Sequence, residues 1–382
     1  MTKNKPFSQI KAACLAAILL VAMLLTGFLS GCRQRGEQMP SPTASQTVSE
    51  TTPSGTSGLR DDTLVFTVDG RPVYWDELNY WLFSALQYIG KDPGGNIDWT
   101  ETYEGLPLSE YIMSEALEAV RMYKTVEAKC EELSVVLSEE DKANIASVRD
   151  SGIAQLGSEE EYLDFLKENK LNEKLIEYIY SVSYLHNNLF VEMFGENGSK
   201  VSDEDAIAFG EENGYCRAKH ILIKTVDETG NPLSQNQLEK NRERLQGILE
   251  DIKAAPDAQA RFDQLMNESS EDPGKEAFPD GYQFDADTIN FDKSFLKEAT
   301  SLQAGGISQD IIEMEGMGYT ILMRLPLDPD LTMVDSGTSL RSMSAATRFQ
   351  TLLESWAQER EIAYEDVFYT IKPENLFGIQ EA

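Results

Sequence analysis

His220 is the residue of this chain most suited to chemistry, because an imidazole can donate or accept a hydrogen bond near neutral pH. It lies in the stretch CRAKHILIKT, residues 216–225, whose alternation predicts a short strand with His220 and Leu222 on the same side. The whole sequence has only two histidines. A histidine in the middle of a buried strand is therefore a candidate site residue, although a core histidine kept for folding fits the same pattern.

The cysteines and histidines do not stand at the spacing of metal ligands, so we expect neither a metal nor another cofactor. Cys14 lies inside an apolar leader and Cys32 at its end, which leaves Cys130 and Cys216 for the folded part. The sequence leaves it undecided whether these two cysteines form one disulfide. The four cysteines of the chain are too few for a disulfide framework.

The charge of the chain excludes one class of partner. With 65 acidic and 33 basic residues the formal net charge is −32, whereas nucleic-acid binding needs basic clusters that displace counterions. The acidic surface fits plain solubility, and it also fits attraction to cationic or unfolded polypeptide. A length of 382 residues leaves room for two to three domains.

Residues 1–32 have the pattern of a targeting segment, in which a lysine-bearing start precedes an apolar run from Ala12 to Leu29. A membrane-spanning helix is one interpretation of this run. The run leads into LSGC, however, which resembles the lipobox of bacterial lipoprotein precursors. That resemblance implies cleavage before Cys32 and acylation of its thiol and new amino group, so that acyl chains hold the mature protein at the membrane.

The domain organisation follows from shifts in composition along the chain. Residues 33–61 are rich in Ser, Thr, Pro and Gly, which predicts a flexible tether. Residues 62–213 begin with a hairpin around Asp69-Gly70 and continue as helices with apolar stripes. One of these helices carries His186, which we interpret as a structural or surface residue. The region fits either a plain helical core or an apolar groove for unfolded chains.

The next region, residues 214–328, should contain the strand with His220, two helices, a short helix over 291–300 and two closing strands. Residues 329–382 form a C-terminal segment with an apolar-striped helix over 340–362, which we expect to pack on the N-terminal helices. A final strand over 363–371 would fit the pattern beyond it.

The order of motifs in residues 214–328 resembles the parvulin-type peptidyl-prolyl isomerase domain. The matching pieces are AKHILIK at 218–224, DPG at 272–274, FPDGYQF at 278–284, FLKEA at 295–299, LQAGGIS at 302–308 and GYTIL at 318–322. A helical region before such a domain and a segment that returns after it resemble extracytoplasmic foldases of the PrsA and SurA type. The resemblance implies an α+β fold, in which a mostly helical chaperone-like domain holds an inserted domain with a small antiparallel sheet flanked by helices.

The resemblance also implies a set of site residues. In parvulins two facing histidines lie in the pocket floor, and a Met or Leu and a Phe surround the proline ring. His220 matches the first histidine, Phe291 stands where the family has Met or Leu, and Phe295 matches the family Phe. Thr320 stands in place of the second histidine, in GYTI where the family has GYHI.

A Cys or Asp near the substrate carbonyl completes the family pattern. Its position falls near Tyr282, so we expect this group to be missing. Leu222 and Tyr282 are expected to join the two phenylalanines in substrate binding.

Two functions from different classes follow from the resemblance. The first is a lipid-anchored prolyl isomerase that assists the folding of exported proteins at the outer face of the cytoplasmic membrane. The second is a holdase, in which an inactive parvulin-like domain grips extended chains. Unfolded or partly folded exported polypeptides are the expected partners in both cases, and the pattern leaves a homodimer open.

Overall fold

The computed structural model describes residues 58–289 and 291–378 of the chain. The fold is α+β, as predicted, with long helices and small antiparallel sheets. The predicted targeting segment, including Cys32, and the predicted tether up to residue 57 lie outside the described residues. Within the described residues no helix is both long and apolar enough to span a membrane.

By their packing the residues divide into two units. The first comprises the described chain up to Met193 together with the chain from Phe349 onward, and the second runs from Phe194 to Arg348. The domain boundaries at 213/214 and 328/329 that we expect from the sequence stay a prediction.

The first part of the chain forms a hairpin followed by helices. The turn of the hairpin has both of its central residues, Asp69 and Gly70, in the left-handed region, with φ of 48° and 78°. The elements up to residue 194 are β1 (Leu64–Val68), β2 (Arg71–Tyr74), α1 (Trp75–Tyr88), β3 (Thr102–Tyr103), β4 (Leu106–Pro107), α2 (Leu108–Leu133), α3 (Glu139–Leu156), α4 (Glu159–Glu168) and α5 (Glu173–Phe194).

The core of the first unit lies where α1 packs along α2. Apolar side chains at helical spacing fill it, among them Leu78, Leu82 and Leu86 of α1, all fully buried. One ion pair is buried beside them, with Lys124 Nζ 3.0 Å from Glu77 Oε2. This pair is hydrogen-bonded further through the Tyr178 hydroxyl, which accepts from Lys124 at 2.8 Å.

The second part of the chain forms one antiparallel sheet between helices. The strand order is β6-β5-β8-β7, which confirms the predicted small antiparallel sheet. The elements from residue 203 to 325 are α6 (Asp203–Glu212), β5 (Tyr215–Lys224), α7 (Gln235–Ala254), α8 (Ala258–Ser269), β6 (Tyr282–Asp285), α9 (Lys293–Ser301), β7 (Ile312–Met314) and β8 (Gly318–Leu325).

Strand β5 is buried on both faces, because its two sets of alternating side chains meet different helices. Ile221 and Ile223 belong to one core cluster with the apolar stripes of α7 and α8. Ala218 and Leu222 belong to the other cluster, with Phe284 of β6 and Phe295 of α9. We call this second face, which packs on α9, the site face of the sheet.

The remaining elements are α10 (Leu340–Gln358), β9 (Ile362–Tyr364) and the 3-10 turns Glu196–Gly198, Asp366–Thr370 and Pro373–Asn375. In the first unit β9 pairs with β1, and the ring of Phe349 in α10 lies 5.0 Å from that of His186 and 5.4 Å from that of Phe190 in α5. The predicted strand over 363–371 is thus wrong in length, because the chain turns into a 3-10 helix after β9. The short helix predicted over 291–300 begins only at Lys293, because Asp292 caps it by accepting from the backbone of Ser294.

The position of His186 predicts an acid-sensitive first unit. Burial lowers the pKa of His186 from 6.5 to about 4, so the unfolded chain binds this proton more readily than the folded chain. The stabilisation that comes from the neutral imidazole of His186 is therefore fully present above pH 6.5. It is lost as the pH falls toward 4. His186→Phe should reduce the loss of unfolding free energy between pH 7.5 and pH 5 by on the order of 1–2 kcal/mol.

Urea unfolding followed by tryptophan fluorescence measures this effect, because all four tryptophans (Trp75, Trp81, Trp99 and Trp356) lie in the first unit. His220→Phe, in the second unit, is the matched control and should leave that acid sensitivity unchanged. Equal acid sensitivity of wild type and His186→Phe would contradict the prediction.

Candidate active site

His220 lies in the middle of β5, with its imidazole on the site face. It is directly opposite Leu322 of β8, and its ring makes an edge contact with Phe295 of α9 at a centroid distance of 5.4 Å. Only 8% of its side chain is exposed. The alternation of β5 and the two pairing strands thus hold the imidazole in a largely apolar environment.

Asp272 is the charged neighbour of His220. Its Oδ2 lies 3.7 Å from His220 Nε2, and only 9% of its side chain is exposed. The same oxygen accepts a hydrogen bond from the Tyr282 hydroxyl at 2.7 Å. Oδ1 accepts from the backbone N–H of Gly274 at 3.0 Å. Two donors therefore hold the carboxylate in place beside the imidazole.

The chain positions Asp272 by fastening the segment after α8 to β5, two residues beyond His220. The backbone N–H of Glu271 donates to the carbonyl of Leu222 at 2.8 Å, and the N–H of Leu222 donates to the Ser270 hydroxyl at 3.1 Å. Gly274 then lets the turn pass close to Tyr282, since a Cβ at this position would lie 2.1 Å from the tyrosine oxygen. The sequence SEDPG thus provides both the anchor and the turn.

Aromatic rings cover the site face around the imidazole. Phe291 and Phe295 are stacked, with centroids 4.9 Å apart and planes 11° apart. Tyr282 lies edge-on to Phe291 at 5.6 Å and is 5.6 Å from the ring of His220. Phe291 is half-buried, whereas Phe295 and Leu222 are buried. The structure therefore brings together the expected substrate-binding residues Leu222, Tyr282, Phe291 and Phe295.

Thr320, which stands in place of the second histidine, is also on the site face. It is fully buried and pairs with Leu222, not with His220. Its hydroxyl donates to the backbone carbonyl of Ile221 at 3.1 Å, so its proton is engaged within the sheet. The described contacts do not include a hydrogen bond between Thr320 and His220.

The expectation that the site lacks a carboxylate is wrong. That expectation placed the acid near Tyr282 in sequence, where the aromatic ring stands. In the structure Asp272 supplies the carboxylate, and Tyr282 is its hydrogen-bond donor. The signal in the sequence is the DPG motif at 272–274, which indicates a turn but not the strand that the turn lies against.

The electrostatics of the site follow from burial. Burial lowers the pKa of His220, and the negative charge of Asp272 opposes this by raising it. The pKa of Tyr282 is raised, first by burial and then by its hydrogen bond to Asp272. Both shifts favour the uncharged forms, a neutral imidazole and a protonated phenol.

Cys130 and Cys216 are both free and buried, so the disulfide that the sequence left open is not formed. Burial raises the pKa of both thiols, that of Cys130 to about 11. Arg324 contacts the sulfur of Cys216 and donates to the carbonyl of Ala299 at 3.0 Å. In the part of the chain that the structure describes, His, Cys, Asp and Glu do not form a group of three or more that could hold a metal ion.

Comparison with known families agrees with the geometry of this unit. Residues 220–325 match the family model Rotamase, described as the PPIC-type PPIASE domain. This second-unit segment is similar to a peptidyl-prolyl isomerase domain. The match contains β5 from His220 onward, the turn with Asp272 and the site-face residues Tyr282, Phe291 and Phe295. A search of curated proteins finds no match for the chain.

Solved structures with similarity to the chain include foldase proteins and chaperones. Foldase protein PrsA from Streptococcus pneumoniae is 19% identical, with 62% of this chain and 79% of that chain covered and a TM-score of 0.23. PrsA from Bacillus subtilis is 18% identical, with coverages of 78% and 92% and a TM-score of 0.22. A structure reported with the SurA-like chaperones PEB4 and Cj1289 of Campylobacter jejuni is 16% identical, with coverages of 81% and 98% and a TM-score of 0.22. Because all three TM-scores are below 0.5, we draw no conclusion from them.

The contact between Asp272 and His220 predicts a shift in the titration of the imidazole. Because the carboxylate raises the pKa of His220, Asp272→Asn should lower that pKa further. NMR titration of histidine-labelled protein measures both imidazoles separately, since the chain has two histidines. His186 serves as the internal control and should titrate unchanged, whereas a raised or unchanged pKa of His220 would contradict the contact.

Proposed function

We propose that this chain is a parvulin-type peptidyl-prolyl cis-trans isomerase that assists the folding of exported proteins. The observation that carries the proposal is the buried pair of His220 and Asp272 inside the aromatic site face. The family match of residues 220–325 supports the same activity. The reaction needs neither a metal nor a cofactor, because no covalent bond is made or broken.

The barrier to be lowered comes from amide resonance, which makes rotation about the X–Pro bond cost about 18–20 kcal/mol. In the resonance form that resists rotation, the carbonyl oxygen carries negative charge and the nitrogen positive charge. The twisted transition state has lost this separation and is less polar. A site lowers the barrier if it removes water from the amide and disfavours negative charge on the carbonyl oxygen.

The residues of the site face can take these roles. The stacked rings of Phe291 and Phe295 hold the proline ring and exclude water, and Leu222 extends the apolar surface. The carboxylate of Asp272 faces the substrate carbonyl and disfavours the charge-separated form. Tyr282 keeps that carboxylate in position through its hydrogen bond.

His220 acts beside Asp272 as a neutral imidazole. With Nε2 toward the carboxylate, its Nδ1 is buried and has no hydrogen-bond partner among the described atoms. Thr320 has a structural role in the floor of the site, because its hydroxyl donates to the backbone carbonyl of Ile221.

A holdase is the second candidate, and the Thr320 geometry is the observation that favours it. Without a second histidine the site can retain affinity for X–Pro segments while it accelerates rotation poorly. Suppression of the aggregation of an unfolded protein distinguishes the two functions. A holdase keeps this suppression in Asp272→Asn and shows no isomerisation in the wild type.

The remaining parts of the proposal concern location and arrangement. The leader that ends in LSGC supports acylation at Cys32 and attachment to the outer face of the cytoplasmic membrane. The Ser/Thr/Pro-rich residues 33–61 then act as the tether. The domain division at 62–213, 214–328 and 329–382 belongs to the same proposal, with unfolded exported polypeptides as clients.

Removal of the site carboxylate should slow isomerisation. Asp272→Asn removes the negative charge and weakens the charge-assisted hydrogen bond from Tyr282, a loss of about 1.5–3 kcal/mol that should lower kcat/KM for X–Pro peptides by about 10- to 100-fold. His220→Asn should give a loss of similar size. Asp280→Asn is the matched control, an exposed acid on the same approach to β6, and should stay within about twofold.

The measurements are the isomerisation of X–Pro peptides, which gives kcat/KM, and the proline-limited refolding of a model protein, both with the full chain added. Wild-type activity that survives in both Asp272→Asn and His220→Asn would remove the proposed site. A wild-type chain that does not accelerate refolding at any concentration would remove the activity itself.

Acylation at Cys32 predicts a specific loss of membrane attachment. Expressed in a bacterial host with labelled palmitate, the wild-type chain should take up label and sediment with membranes. Cys32→Ser should lose the label. Cys14→Ser keeps the leader otherwise intact and is the matched control, so it should retain the label. Label on Cys32→Ser would contradict the proposed anchor.

A further inference from the structure

The chain beyond β8 is bound to the sheet of the second unit, although the family match ends at residue 325. Gln283 of β6 is fully buried, and its side-chain amide donates to the carbonyls of Asp328 and Leu331, at 2.9 Å each. Its amide oxygen accepts from the backbone N–H of Asp328 at 2.9 Å. The edge of β6 that does not pair with β5 is therefore covered by the chain that follows β8.

A tight turn follows this attachment, and we call residues 332–339 the clasp hairpin. The N–H of Met333 donates to the carbonyl of Thr338, and the N–H of Gly337 donates to the carbonyl of Met333, both at 2.9 Å. Met333 is buried in a small core cluster with Leu340. The hairpin is thus folded on itself and fixed at its root.

The tip of the clasp hairpin reaches the aromatic cluster of the site face. The N–H of Val334 donates to the carbonyl of Gln283 at 2.9 Å, and its side chain packs against the cluster that contains Phe284 and Phe295. Phe291 packs against the same cluster, with its ring 4.8 Å from that of Phe284. Val334 and Phe291 therefore rest on the same group of side chains.

The next residue of the tip, Asp335, holds the chain that leads into Phe291. Its Oδ1 accepts a hydrogen bond from the hydroxyl of Thr288 at 2.8 Å. Thr288 stands three residues before Phe291, and its N–H donates to the carbonyl of Asp285 at the end of β6, at 3.1 Å. The hairpin therefore fixes this chain at a point outside the sheet.

We propose that Val334 and Asp335 belong to the isomerase site and position Phe291 for the proline ring. Phe295 is fixed by its place in α9, whereas Phe291 precedes the first residue of that helix, Lys293, and is only half-buried. Support for Phe291 must therefore come from outside the helix. The inference rests on the proposed function for its ligand, an X–Pro segment, and it adds two positioning residues that lie beyond the family match.

The expected effect falls on substrate affinity. In the proposed site the ring of Phe291 contacts the proline ring, which is present in the ground state and in the twisted transition state alike. An interaction that both states share lowers KM without raising kcat. Loss of the support from the clasp hairpin should therefore raise KM and leave kcat almost unchanged.

Peptide isomerisation by the full chain tests this inference. Thr288→Val removes the hydroxyl donor but keeps the shape of the side chain, and it should raise KM for an X–Pro peptide by about three- to tenfold with kcat within about twofold. Thr288→Ser should restore KM. Asp335→Ala should match Thr288→Val, and the double variant should be no worse than either. Thr332→Val, the same change at an exposed threonine of the clasp hairpin, is the matched control.

A second background separates positioning from a general structural role. In a Phe291→Ala chain, Thr288→Val should change KM by less than about twofold, because the ring that it positions is gone. A full further rise in that background would overturn the inference. An effect on kcat instead of KM, or a Thr288→Val chain that behaves as Thr332→Val does, would also overturn it.

The dissociation constant of the same peptide, followed by NMR, distinguishes this inference from the proposed activity. If the wild type binds the peptide without isomerising it, the isomerase proposal fails. A three- to tenfold weaker binding by Thr288→Val would then still support the positioning role. A wild-type chain that does not bind the peptide would overturn both.

Discussion

Burial of β5 on both faces is the constraint on which the candidate site depends. One face is covered by α7 and α8, and the other by α9 and the aromatic rings. Water is therefore excluded around His220, and the imidazole is held neutral because its charged form is disfavoured there. The same exclusion strengthens the interaction of the imidazole with Asp272, which would be screened at the surface. Both the chemistry and the rigidity of the site come from the covering of this one strand.

A buried carboxylate needs compensation, since an ion removed from water without partners is strongly disfavoured. Here Tyr282 and the backbone N–H of Gly274 supply hydrogen bonds, and the segment that carries Asp272 is tied to β5 at Leu222. Tyr282 thus links the aromatic cluster to the carboxylate, because its ring belongs to the cluster and its hydroxyl donates to Asp272. The ring that excludes water is also the donor that holds the charge.

The strand with His220 and its burial could be predicted from the alternation of the sequence, whereas Phe291 and Phe295 were assigned to the same site from the family resemblance alone. Asp272 could not be assigned in this way. Its role depends on hydrogen bonds between residues 270–271 and Leu222, about fifty positions apart in sequence, and the DPG motif by itself indicates only a turn. The hydrogen bond of Thr320 to the backbone could not be predicted either, because it follows from the register that pairs Thr320 with Leu222. The start of α9 at Lys293 depends on the cap by Asp292, which a periodic pattern does not mark.

The central claim is that the site face accelerates rotation about an X–Pro bond. Exchange NMR of a proline-containing peptide measures this directly, because the cis and trans signals exchange too slowly for detection without a catalyst. With the full chain added in small amount, the account predicts exchange cross-peaks between the two forms, and line broadening of β5 and α9 resonances. If the peptide perturbs the β5 and α9 resonances but its cis and trans forms do not exchange, the site binds proline without catalysing its isomerisation. That result would contradict the account.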